Sequence, residues 1–205
     1  MDTRADAPDQ HVWTRLAAPE TDNLVEPDAA LVRRAQGGDR HAFAVLVDRY
    51  WPKLYRWLYH LTHNQHGAED LAQETFLKAY TRLETFAADS NFRAWLFRIG
   101  YNNFVNQWRE ESRTRQPFPD NLPAADQEPP DQAMSQEGLR VLARAVGRLP
   151  PDFRAAFLLR VEEDLSFRQV AEVLNITETT ARWRVFKARQ KLMSVLAPQL
   201  DREQS

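Results

Sequence analysis

The chain has 205 residues, 43% of them hydrophobic, no cysteine and a formal net charge of −2. The missing cysteines exclude disulfides and thiolate metal sites. The opening MDTRADAPDQ is too acidic for a secretory signal, and no apolar run approaches the ~20 residues that span a bilayer, so a soluble cytoplasmic protein with no direct membrane insertion is expected.

Six glycines, abundant Ala, Leu, Arg, Glu and Gln, and no long β-branched alternation predict an all-α fold. The small net charge conceals a pattern. Residues 1–27 carry −4, 28–115 carry +3, 116–138 carry −5 and 139–193 carry +5. Two positive blocks separated by an acidic one are two potential surfaces for an anionic polymer.

Residues 1–27 read as a flexible acidic extension with isolated Trp13 and Leu16. Residues 28–115 read as a helical domain. Asp28 is placed to cap a short helix that stops at Gly37-Gly38, and Asp39 to cap the next. That second helix carries Phe43, Leu46, Val47, Tyr50, Leu54, Leu58 and Leu61 at helical spacing, with Pro52 expected to kink or interrupt it. A third helix, about Ala68 to Leu83, has Leu71, Ala72, Thr75, Phe76 and Ala79 as its inner stripe. Asp70, Gln73, Glu74 and Leu77 fall outside that stripe. After the loop Phe86–Asn91, a fourth helix runs from about Phe92 to Glu111. Its aromatics alternate with Arg93, Arg98, Arg109, Asn102 and Asn103. Arginines neutralise phosphates, aromatic faces stack on unpaired bases and amides read base edges. Core packing of most of these aromatics is the competing reading, with Trp95 and Ile99, at i and i+4, the first core pair.

Between the helical blocks, residues 116–138 hold five prolines, five acidic groups and no base. Such a segment cannot be one continuous helix and reads as a flexible acidic linker. Residues 139–197 form a second domain, and 198–205 a tail. A helix from about Asp152 to Glu162 precedes LSFRQVAEVLNITETTARWRVFKARQKL. Ser166 and Gln169 have capping-box spacing. Asn175 suits a left-handed turn, and Thr177 can cap a second helix. These features predict a helix-turn-helix over 166–192. The inner stripe of its second helix is Ala181, Val185, Ala188 and Leu192. Arg182, Arg184, Lys187, Arg189 and Lys191 occupy the other faces, and no acid follows Glu178 until Asp201. A cationic second helix of this kind enters a DNA major groove, with Thr179, Thr180 and Arg182 near its reading end. A solvated helical hairpin is the bland alternative.

The blocks LVRRAQGGDRHAFAVLVDRY, AEDLAQETFLKAY, FRAWLFRIGYNN and RLPPDFRAAFLLR, followed by the helix-turn-helix, occur in that order. In this arrangement, over about residues 28–196, the chain resembles the extracytoplasmic-function (ECF) class of bacterial RNA polymerase sigma factors. The resemblance implies a region 2-like domain at 28–115 and a region 4-like domain at 139–197. It implies binding to core RNA polymerase, through the β′ clamp coiled coil and the β flap, and to promoter DNA, both duplex and melted. Asp70, Gln73, Glu74 and Leu77 would dock on the polymerase. Ser90, Asn91, Arg93, Arg98 and Asn102 would read and open the minus-ten element. Thr179, Thr180, Arg182, Trp183, Arg184, Phe186 and Lys187 would read the minus-thirty-five element. A role as an alternative, stress-response factor held by an anti-sigma factor follows from the same resemblance. No cofactor, metal or catalytic residue is implied. Two departures stand out: Gly100-Tyr101-Asn102 where the family has Ala-Arg-Asn, and Trp183 where it has a small residue.

Two other classes compete. One is a helix-turn-helix regulator that never joins polymerase, for which the DLAQETF helix has no use. The other is a metal protein or enzyme. Its best feature is His60, His63 and His66, of which a helix could align the first two. Asn64 and Gly67 favour a solvated loop there instead.

Overall fold

The computed structural model describes residues 26–114 and 136–203. The described residues are all-α, with no strand among them. The elements are α1 (Asp28–Gln36), α2 (Arg40–Thr62), α3 (Gln65–Arg82), a short 3₁₀ turn (Leu83–Thr85), α4 (Phe92–Thr114), α5 (Gln136–Gly147), α6 (Pro151–Val161), α7 (Phe167–Leu174) and α8 (Glu178–Glu203). The extension and most of the linker lie outside the described residues. Helix α5 begins inside the segment read as linker, and α8 continues into the segment read as tail.

Local chemistry sets most of the boundaries. The Asp39 carboxylate accepts from the backbone N–H of His41 and Ala42 at 3.0 and 3.2 Å, capping α2. Asn64 caps α3 by accepting from Gly67 N–H at 3.0 Å. Asp28 does not cap α1. The residue before α1 is Pro27, with no side-chain cap, and Asp28 instead accepts from Arg49 at 2.5 Å and from the Tyr50 hydroxyl. A partly buried carboxylate beside a guanidinium gains more there than at a solvated helix start. Helix α2 also continues through Pro52 without ending. Its neighbours Leu46, Tyr50, Leu54, Trp57 and Leu58 are all buried, and this packing offsets one missing helical hydrogen bond.

In the first half, α2 packs against α1, α3 and α4, and α3 packs on α4. Gly100 of α4 faces both α2 and α3 at close range. A Cβ there would lie 3.1 Å from Leu54 Cδ1 and 3.5 Å from Thr75 Oγ1. In the second half, α6, α7 and α8 pack on one another, and α5 rests on α8. Ser166 and Gln169 form the reciprocal capping box, at 2.8 and 3.2 Å. Asn175 adopts φ 54°, ψ 49°, the left-handed turn between α7 and α8. Thr177 accepts from Thr180 N–H at 3.1 Å and starts α8.

The two halves also touch each other. Helix α4 packs on α7, and α2 on α6.

Candidate nucleic-acid interface

Three surfaces follow from this packing. The first is the outer face of α3. Thr75, Phe76, Leu71, Ala72 and Ala79 are buried, which turns Asp70, Gln73, Glu74 and Leu77 outward. All four are exposed, and Leu77 keeps 65% of its surface in water. Tyr80, one turn on, continues this face. Its ring meets Phe43 edge-on at 4.9 Å and remains exposed. The sequence reading missed Tyr80, although its three-residue spacing from Leu77 carries the signal.

The second surface is α4 and the loop before it. Asn91 accepts from Ala94 N–H at 2.8 Å and so holds the loop against the helix start. Ser90, Asn91, Arg98 and Asn102 are exposed, the last two one turn apart on a single face. The aromatics behave differently from the stacking expectation. Phe92 and Phe97 are buried, and Trp95 is wedged between Phe86 and Phe92 at 4.5 and 5.7 Å. Among the large apolar residues of α4, Trp108 stands exposed. Asn103 is buried, not a base reader. It donates to Thr75 Oγ1 at 3.1 Å and accepts from Lys78 Nζ at 2.7 Å. Thr75 in turn donates to Leu71 O at 2.6 Å, so this chain of bonds ties α4 to α3.

Arg93 is partly buried on this surface. Its guanidinium donates to the backbone carbonyl of Glu163 at 2.7 Å and lies 5.9 Å from the Tyr50 ring. In this arrangement it serves the contact between halves. Ser90, Asn91, Phe92 and Arg93 share a cavity wall with Asp164 and Leu165 of the α6–α7 turn. Two further contacts hold the halves together: Arg56 with Glu162 at 3.3 Å, and Arg154 with the His63 ring. Arg154 is fully buried and also donates to Gly147 O at 2.8 Å. Burial, then the nearby Arg154 cation, pushes His60 and His63 down to about 4. His63 is thus half-buried at the contact between the halves, with the Arg154 guanidinium beside its ring, and not in a solvated loop. No cluster of three metal-binding side chains occurs among the described residues. Tyr101 packs on Trp57 and Phe104 at 6.2 and 6.3 Å. Burial raises its hydroxyl above the usual phenol range, and Asp152 adds to the effect.

The third surface is α8. Ala181, Val185, Ala188 and Leu192 are buried as the stripe requires. Thr179, Arg182, Trp183 and Phe186 are exposed, and Thr180 and Lys187 partly so. Arg182 pairs with Glu178 at 2.5 Å and lies 4.7 Å over the Phe167 ring. Arg184 departs from the expected outward placement. Its side chain is 16% exposed and pairs with Asp152 of α6 at 2.8 Å, which fixes α8 against α6. Trp183 meets Phe153 edge-on at 5.4 Å and remains about half exposed. It both packs on its own domain and faces outward.

A helix-turn-helix with a cationic second helix, joined in one chain to an α-helical body with an arginine- and asparagine-bearing face, defines a two-part nucleic-acid-binding protein. Comparison with known proteins agrees. Residues 46–114 match the family model of sigma-70 region 2, and residues 139–192 match that of sigma-70 region 4. The RNA polymerase sigma-H factor of Pseudomonas aeruginosa is 35% identical over 85% of this chain and 96% of its own length. The ECF RNA polymerase sigma-E factor of Haemophilus influenzae is 34% identical over 83% of this chain and 96% of its own. Among solved structures, CnrH in complex with the cytosolic domain of CnrY aligns with a TM-score of 0.62 at 26% identity, over 83% of this chain and 97% of that one. The sigma factor RpoE in complex with the anti-sigma factor NepR from Bartonella quintana aligns with a TM-score of 0.59 at 27% identity, over 76% and 96%. The chain belongs to the ECF class of RNA polymerase sigma factors. The region 2 match favours this over a helix-turn-helix regulator that acts apart from polymerase.

Proposed function

We propose that this sigma factor docks on core RNA polymerase through the outer face of α3, reads and opens the minus-ten element with α4 and its preceding loop, and reads the minus-thirty-five element with α8. The observation that carries the reading is the uncovered face Asp70–Gln73–Glu74–Leu77. A 65%-exposed leucine amid three polar groups is a surface suited to a partner. Tyr80 extends it. Asn91 holds the loop, while Ser90, Arg98 and Asn102 face outward toward the melted strand. Arg93 joins them once it leaves the Glu163 carbonyl. Holding unpaired bases biases melting by binding alone, so no nucleotide hydrolysis and no catalytic residue is assigned. On α8, Thr179, Thr180, Arg182, Trp183, Phe186 and Lys187 face the duplex, and Arg184 supports the fold.

The likeness to a sigma factor solved in complex with an anti-sigma factor supports control of this chain by an anti-sigma factor, in an alternative, stress-responsive role. The family supports a site of action in the bacterial cytoplasm. No described helix is long and apolar enough to cross a membrane. Reconstitution with core polymerase and a promoter library tests the whole reading. A stable holoenzyme with defined start sites is expected. Absence of both would overturn it.

A further inference from the structure

At about 3.6 residues per turn, Thr179, Trp183, Phe186 and Gln190 fall along one line of α8. That line lies opposite the buried stripe Ala181, Val185, Ala188 and Leu192. The outermost ridge of the helix is therefore aromatic, with Trp183 51% and Phe186 57% exposed. Arg182 flanks the ridge on one side and Lys187 on the other. No carboxylate occurs from residue 179 to 200. An apolar line with a cation on each side matches a major groove, whose floor carries base edges and whose two rims carry phosphates. Phe153 meets the indole edge-on at 5.4 Å, and about half of Trp183 remains in water.

What such a ridge can read is limited by its chemistry. Phenyl has no hydrogen-bonding atom, and indole has a single donor. Neither can take part in the bidentate pairing that distinguishes guanine or adenine. The apolar feature on the major-groove floor is the C5-methyl of thymine. We propose that Trp183 and Phe186 form a methyl-reading ridge that selects thymine, and equally 5-methylcytosine, within the upstream promoter element. This rests on the assignment of α8 to that element. It goes further in naming the chemical group read and the two residues that read it.

Replacing thymine by deoxyuridine removes that methyl and little else. The experiment uses the full chain assembled with core polymerase. An upstream element is first selected from a random duplex library, then synthesised with deoxyuridine at each thymine in turn. Removal of a methyl buried by the ridge should weaken binding about fourfold. In Trp183→Ser and Phe186→Gln, tested separately, the thymine-to-deoxyuridine ratio should fall toward one. A merely structural contribution of either ring would lower affinity for both duplexes and leave the ratio unchanged. A ratio of one in the parent protein, or an undiminished ratio in both variants, would overturn the ridge while leaving promoter binding intact. Failure to select any duplex would overturn the assignment of α8 itself and the ridge with it.

Discussion

Arg93 donates to the main-chain carbonyl of Glu163 at 2.7 Å, across 70 residues of sequence. A guanidinium on the candidate minus-ten surface is thus held by the turn that leads into the helix-turn-helix. The same turn places Asp164 and Leu165 beside Ser90 and Asn91. On the proposed reading of α4, melted DNA and the α6–α7 turn would compete for one place.

Locking the halves together should therefore block initiation. The chain has no cysteine, so Ser90→Cys and Asp164→Cys introduce the only two thiols. A short cleavable bis-maleimide between them should lower promoter opening at least tenfold in a reconstituted assay, and cleavage should restore the activity of the unlinked double variant. Equal activity before and after cleavage would show that the halves need not part.

The joint at His63 should respond to acid. Its depressed pKa, about 4 beside a usual value near 6.5, means that the folded arrangement refuses a proton the open chain accepts. This contribution is intact above pH 6.5 and is lost as pH falls toward 4. His60 acts in the same sense. Burial raises Glu162 and Glu163, which act in the opposite sense. Comparing the parent with His63→Gln cancels those shared contributions, since glutamine can still accept from Arg154. Between pH 6 and 4.5 the variant should lose about 1 kcal/mol less stability in thermal melts, a figure reduced for partial exposure of the ring. Parallel pH profiles would refute the assignment.

Leu77→Ala should leave the melting temperature nearly unchanged, because the side chain is mostly in water. Its affinity for core polymerase, read by fluorescence anisotropy, should fall about tenfold, in the range of an interface anchor. Asp70→Ala should act in the same direction through its charge. Unaltered affinity in both variants would move the docking surface elsewhere.

Asn103→Ala has the reverse profile. It removes the bonds that tie the Thr75 hydroxyl and the Lys78 ammonium of α3 to α4, leaving them only their partners on α3, Leu71 O and Glu74. A loss of about 1–3 kcal/mol is expected in chemical denaturation. A change below 0.5 kcal/mol, the ordinary range for a surface residue, would restore Asn103 as a candidate reader.

Much of this molecule was legible because short-range rules govern it. Ser166, Gln169, Asn175 and Thr177 act on backbone groups within four residues, and all four do what their spacing predicts. The outward set on α3 followed from helical periodicity alone. Failures occurred where distant groups decide. Asp28 lost its capping role to Arg49 and Tyr50, about twenty residues on. Asn103 and Asn102 are chemically identical neighbours, yet helix rotation buries one and exposes the other. Arg184 is covalently like Arg182, but Asp152 draws it inward. His63 becomes half-buried where α6 brings Arg154 to it and the end of α5 brings Gly147 beside its ring. No local window contains that information.

The Thr75–Asn103–Lys78 seam has a further consequence. It joins the helix assigned to polymerase docking to the helix assigned to DNA opening through buried bonds that leave little room to slide. Anchoring one therefore removes most of the translational and rotational freedom of the other. On those assignments the opening surface would arrive at the duplex already aimed, with the entropy of positioning lost at assembly, before any base pair breaks.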